Sequence, residues 1–414
     1  MKTSHIRSIG FAAVAATFLT MFWGCQSPQP AATTPRPAVQ RQLPTPIRAI
    51  WVARYHYRAP DDIKQIMASC REMGFNTVIW QMRGQGTVAY PSQYEPWSKE
   101  YHHKHPGYDP LAVAVEEAHR NGLRIEAWMN IMPGWRGPEP PAIRNQLWYT
   151  HPDWFLHDAQ GKQQPLGKFY VILNPCLPEV RQHIINIAAE VARNYAVDGI
   201  HMDYVRYAWD TTPNAAKLYP RDPRTLALYQ QETGKTPDED PQAWNHWRGN
   251  QITRIVEGIR NAIDRERPGA TLSAAIWRNP KLGYDGYLQN SVAWLRAGLV
   301  DVGMPMVYTD KVDQFESDIL MYKNAAPNAR ISPGLGAYKF QPPAAPGAPE
   351  PLRQELALCQ SWGGDFTIFS LESLAPTVSE IDQSRRKRTP AEASPQRRYL
   401  LDVLQDYMRP FRPQ

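Results

Sequence analysis

The sequence is poor in the features that mark several large classes of protein. It has four cysteines in 414 residues, too few for a disulfide-stapled scaffold, and Cys70, Cys176 and Cys359 show no metal-ligand spacing, so they read as small buried residues. Excess charge is lacking too: 46 basic and 40 acidic residues leave a formal charge of +6, too diffuse for a nucleic-acid footprint. The one dense basic run, Arg385, Arg386, Lys387 and Arg388, lies in a proline-flanked polar stretch and reads as a solvated loop. His102, His103 and His105 sit beside Pro106 and Gly107 in a loop, without the spacing of a metal site, so neither metal nor cofactor is expected.

Long hydrophobic runs are absent with one exception. Residues 9–23 are apolar, follow Lys2 and Arg7, and end at Gly24-Cys25. A comfortable membrane span needs about 20 residues, so residues 1–24 read as an export signal. The tetrapeptide Phe22-Trp23-Gly24-Cys25 resembles a bacterial lipoprotein signal, which implies lipidation of Cys25 and a membrane anchor facing the periplasm or cell surface. Residues 25–46, rich in Pro, Ala, Thr and Gln, cannot bury a core and read as a tether. Without Lys2 and Arg7 the chain keeps 44 basic against 40 acidic residues.

Abundant instead are 14 tryptophans and 20 tyrosines. Rings with one apolar face and a wet edge suit a sugar-binding cleft, although most single rings belong to a core. From residue 47 onwards, short runs of Val, Ile and aromatics alternate with longer amphipathic stretches, the rhythm of parallel strands joined by helical crossovers. Eight strands are predicted, over 47–54, 76–83, 124–132, 199–207, 272–279, 302–309, 331–338 and 365–374. Helices are predicted over 61–73, 110–121, 178–195, 244–267, 291–297, 313–325, 350–361 and 394–407. Eight such units imply one α/β domain over residues 47–414, a (β/α)8 TIM barrel. The segments after strands three, four and seven are long, and strand-to-helix loops lie at the carboxyl face where barrel active sites are built.

Polar residues at alternate positions near a strand's end mark that mouth. Strand four places His201 and Asp203 on one face, and strand three does the same with Glu126, Trp128 and Asn130. Strand two ends with Gln81 and Arg83, strand six with Tyr308 and Asp310, and strand eight with Glu372. Converging carboxylates without a cofactor suggest glycosidic-bond cleavage, which needs one carboxylate at the oxocarbenium-like centre and one proton donor. Asp203 is the expected nucleophile or stabilising carboxylate, kept ionised by Arg206. Asp310 is the preferred proton donor and Glu372 its rival. His201 reads as a hydrogen-bonded barrel histidine near the substrate; Trp128, Trp277 and Tyr308 are candidates to stack on sugars, and Asn130 and Arg83 to hold substrate groups. The alternative is a non-catalytic carbohydrate-binding envelope lipoprotein.

The segments IRAIWVAR, GFNTVIWQMR, LNPCLPEVR, VDGIHMDYVRY and MPMVYTD resemble the bacterial glycosyl-hydrolase-like family 10 proteins. That resemblance implies a glycoside-hydrolase barrel, maps Asp203 to the expected catalytic carboxylate, and fits Asp310 to a donor at the end of strand six. It also implies bacterial cell-wall glycan as a substrate. The chain departs from the family pattern at Glu126, where a histidine is common, and in MNIMPGWRG at the end of strand three.

Overall fold

A helix whose first residue is proline loses nothing, because the first N–H of a helix has no intrahelical partner. Eight of the described helices open this way, at Pro60, Pro110, Pro178, Pro223, Pro241, Pro280, Pro351 and Pro395. The computed structural model describes residues 41–209, 215–387 and 393–411; Cys25, the export signal and residues 25–40 of the tether lie outside them.

Between these helices run the parallel strands Arg48–Val52, Thr77–Arg83, Arg124–Asn130, Gly199–Asp203, Thr271–Ile276 and Val302–Val307, then a seventh in two pieces, Arg330–Ile331 and Gly334–Gly336, and finally Phe366–Phe369. Each pairs with its neighbour in parallel register, and the first pairs with the eighth through Ala49 opposite Thr367, which closes the ring. This is the (β/α)8 barrel that the sequence rhythm predicts.

Two apolar layers hold it. The larger lies between strands and helices, where Val180, Ile184, Ile187, Ala188 and Val191 on the helix Pro178–Asn194 are buried. The smaller fills the barrel interior with Ala49, Trp51, Ile79, Trp128, Ala275, Val302 and Met304, every second residue of its strand, as the pleat requires. Cys70, Cys176 and Cys359 are buried free thiols, as their apolar surroundings in the sequence suggest.

The strands stop earlier than expected. Strand four ends at Asp203, and Tyr204 turns the chain with φ +49°. Strand eight ends at Phe369 and gives way to the 3-10 turn Leu371–Ser373. The long segment after strand three contains an antiparallel hairpin, Pro133–Gly137 with Gly167–Ile172, that the sequence reading missed. The segment after strand four carries the helix Pro223–Thr233.

The expected loop around Arg385 is instead the end of a helix, Val378–Lys387. No proline interrupts it, and its start is capped: Thr377 N–H donates to Glu380 Oε2 at 2.6 Å while Glu380 N–H donates to Thr377 Oγ1 at 3.2 Å. Arg388 lies outside the described residues.

Candidate active site

Below the mouth, the interior polar side chains form one connected set. Trp51 Nε1–H donates to His201 Nε2 at 3.0 Å, which leaves the proton of a neutral imidazole on Nδ1, facing Ser273 Oγ at 2.8 Å. Ser273 donates in turn to Glu126 Oε2, and Thr271 Oγ1–H donates to Glu126 Oε1 at 2.9 Å. Burial pushes the His201 imidazole down to about 3 and the Glu126 carboxyl above its usual range. Gly199 makes room for this arrangement, since a Cβ there would collide with Thr271 and crowd Glu126. His201 is therefore sealed inside the barrel with both ring nitrogens engaged, and it does not reach the mouth.

One layer higher, Asp203 ends strand four opposite Asn130 of strand three. Its Oδ1 accepts the Tyr204 N–H at 2.6 Å, and the Trp128 indole N–H, which donates to Asn130 Oδ1, also favours its charged form. Arg206 Nη1 lies 3.8 Å from Oδ1. Burial raises the carboxyl's pKa, and the Arg206 charge and the N–H groups of Tyr204 and Trp128 offset this only in part. The expectation that Arg206 lowers the pKa of Asp203 thus holds for the pair alone; net, desolvation wins.

Arg206 is 4% exposed and packs its guanidinium among rings, with Cζ 4.4 Å from the Tyr204 centroid, 5.1 Å from Trp277 and 6.0 Å from Tyr287. Its Nε and Nη1 have no hydrogen-bond partner; the ring faces take that place. Trp277 is half-buried and also packs on Tyr287 at 4.2 Å.

Asn130 is fully engaged. Its Oδ1 accepts from Trp128 Nε1 at 2.9 Å and Gln81 Nε2 at 3.2 Å, and its Nδ2 donates to the Tyr170 hydroxyl at 3.3 Å. Tyr170 comes from the hairpin that follows strand three, and its ring meets Tyr204 at 4.8 Å. Tyr308, after strand six, stacks on Phe369 at 5.0 Å, and the Asp203 charge helps to raise its phenol pKa, after burial. Gly336 permits that approach, because a Cβ there would stand 2.8 Å from Tyr308 Cβ.

Arg83 has another task. It is fully buried, paired with Glu95 through Nε at 2.9 Å and Nη2 at 2.6 Å, while Nη1 donates to the Asn130 and Ile131 carbonyls. Every nitrogen is committed, Nε and Nη2 to the loop after strand two and Nη1 to the end of strand three, so none is left for substrate. Asp310 and Glu372 are both exposed. The charge of Asp310 acts on Glu355 of the outer helix Pro351–Ser361, whose buried carboxyl is pushed up to about 9 by burial first and by Asp310 second. Glu372 Oε2 accepts the Tyr55 hydroxyl at 3.4 Å. Among the described contacts, none joins either acid to Asp203. The structure thus gathers Asp203, Arg206, Trp128, Asn130, Trp277 and Tyr308, and adds Tyr170, Tyr204 and Tyr287, which the sequence reading passed over.

The sequence profile of the glycosyl hydrolase-like 10 family matches residues 46–338. The chain belongs to that family. Membership in the glycosyl hydrolase-like 10 family places it among the glycosyl hydrolases, as the resemblance in its motifs implies. Glycosyl hydrolase DigH of Escherichia coli strain K12 is 26% identical over 325 residues, covering 67% of this chain and 69% of the relative. Glycosyl hydrolase YngK of Bacillus subtilis is 28% identical over 268 residues, covering 59% of this chain and about half, 48%, of the relative.

Among solved structures, the PgaB (BpsB) glycoside hydrolase domain from Bordetella bronchiseptica superposes with a TM-score of 0.56 at 16% identity, over 83% of this chain and 99% of that domain. Alpha-L-fucosidase isoenzyme 2 from Paenibacillus thiaminolyticus gives 0.58 at 14% identity, over 88% of this chain and 49% of that one. At such identities the likeness is one of fold.

Proposed function

We propose that this glycosyl hydrolase-like 10 protein hydrolyses O-glycosidic bonds of a bacterial glycan, in particular peptidoglycan glycan strands. In this reading Asp203 stabilises or attacks the anomeric carbon, and Asp310 protonates the leaving oxygen. The observation that carries it is the position of Asp203: a carboxyl at the carboxyl end of a barrel strand, near Trp128, Tyr204 and Tyr308 and beside one guanidinium that packs on Trp277. Relatives named as glycosyl hydrolases support the reaction class.

Peptide-free peptidoglycan strands are the substrate to try. The wild-type protein is expected to release new reducing ends, and Asp203→Asn to bind the strands without releasing any. The lack of a described contact between Asp203 and a second acid favours one other reading, a carbohydrate-binding protein without catalysis. Wild-type protein that holds the strands and frees no ends would establish that reading and end the enzymatic one.

We also propose that the chain is exported and anchored to a membrane by lipid on Cys25. Cys25→Ser is expected to move the protein from the membrane to the soluble fraction; an unchanged distribution would refute the anchor.

A further inference from the structure

Beside the mouth lies a groove of about 1070 Å³, at the upper end of what a small-molecule pocket needs. One wall is the loop after strand two, with His102, Lys104 and His105; the other follows strand eight, with Glu372 and Asp382. Tyr55, just past strand one, also lines it; the residue is 39% exposed, with its hydroxyl 3.4 Å from Glu372. Burial and the neighbouring carboxylate push this phenol up to about 12, so it stays a neutral donor.

The groove joins Asp203 by a line of side chains. Tyr204 follows Asp203 and meets Tyr170 at 4.8 Å; the Tyr170 phenol interacts electrostatically with Arg54; Tyr55 comes next in the chain. All three loops involved are strand-to-helix loops, so mouth and groove open on the same face of the barrel. The lining interleaves acids, cations and imidazoles around one exposed ring. Together with the apolar surface of Tyr101, Pro106 and Val378, it can exchange hydrogen bonds with a polyhydroxylated chain and give one sugar a stacking platform.

We propose that this groove is a distal binding site for a linear glycan several sugars long, with Tyr55 as the stacking platform and Glu372 as an acceptor for Tyr55 and sugar hydroxyls. The site rests on the glycosidase reading and deepens it: the substrate is a polymer that extends from Asp203 towards strands one and eight. This also assigns Glu372 to binding, leaving proton donation to Asp310.

The test is binding of a ladder of peptide-free peptidoglycan strands, from one to six disaccharides, to full-length Asp203→Asn protein by calorimetry. Affinity is expected to rise about ten-fold or more from the shortest to the longer strands. Adding Tyr55→Ala should remove most of that gain, and Glu372→Gln part of it, with melting temperatures held. Affinity that does not depend on length, equal affinity with Ala at position 55, or no binding of any strand would each overturn the groove assignment. Length-dependent binding lost in the Tyr55 variant, with no hydrolysis by the wild-type protein, would keep the groove and refute the glycosidase reading.

Discussion

His201 and Asp203 stand two residues apart on one face of strand four, and both are removed from water, yet their surroundings differ. Burial opposes the charged form of each: it lowers the pKa of the imidazole and raises that of the carboxyl. At His201 the neutral form fits, because Trp51 donates to one nitrogen and Ser273 faces the other. Asp203 can accept about four hydrogen bonds, and its partners are a backbone N–H at 2.6 Å, Trp128 and a guanidinium 3.8 Å away, which leave part of that capacity unused. Burial alone therefore does not distinguish a structural group from a reactive one. What separates these two is how completely the neighbours use up their hydrogen-bonding capacity.

The sharpest way to break that comparison is Asp203→Asn. Turnover should fall by roughly 10³-fold or more while the melting temperature stays near wild type, as reducing-end assays and calorimetry would show. Retained turnover would make the mouth carboxyl as structural as the histidine below it. Glu126→Ala tests the other half. It strips the acceptor from the Thr271 and Ser273 hydroxyls, so stability should drop by about 2–4 kcal/mol, measured by denaturant unfolding, with a far smaller loss of turnover per folded molecule.

The smallest effect is expected from Arg206→Met. The guanidinium lowers the pKa of Asp203 against the larger effect of burial. Removing it leaves burial less opposed, so the carboxyl stays protonated to higher pH. If the ionised carboxylate is the working form, the acidic limb of the pH–rate profile must move upward. A limb that stays put or moves downward would show that Arg206 acts on Asp203 only through packing.

Much of this was legible in the sequence, for reasons specific to each element. Parallel barrel strands are buried on both faces, so a polar stripe such as His201 with Asp203, or Glu126 with Trp128 and Asn130, stands out against apolar neighbours. The stripe does not say which of its members face the mouth and which are sealed beneath it, because that depends on the stagger between strands. Arg83 misleads for a similar reason: its partner Glu95 lies twelve residues on in an irregular loop, and no periodicity links the two. Tyr170 was hidden because its hairpin sits inside a long segment with weak alternation, and the positive φ of Tyr204 has no signal in a non-glycine residue. The second acid is the hardest case, since the reach of Asp310 or Glu372 is set by loops rather than by strands.

Among the described residues, the hairpin that carries Tyr170 forms a two-stranded sheet separate from the barrel's ring. It brings an aromatic edge to Asn130 and Tyr204 without lending a single strand to the ring. This edge is thereby separated from the barrel's strand pairing, although Trp135, Val171 and Ile172 still pack in the core. Surface positions of residues 133–172 can therefore change the edge beside Asn130 and Tyr204 without altering the strand register of the closed cylinder.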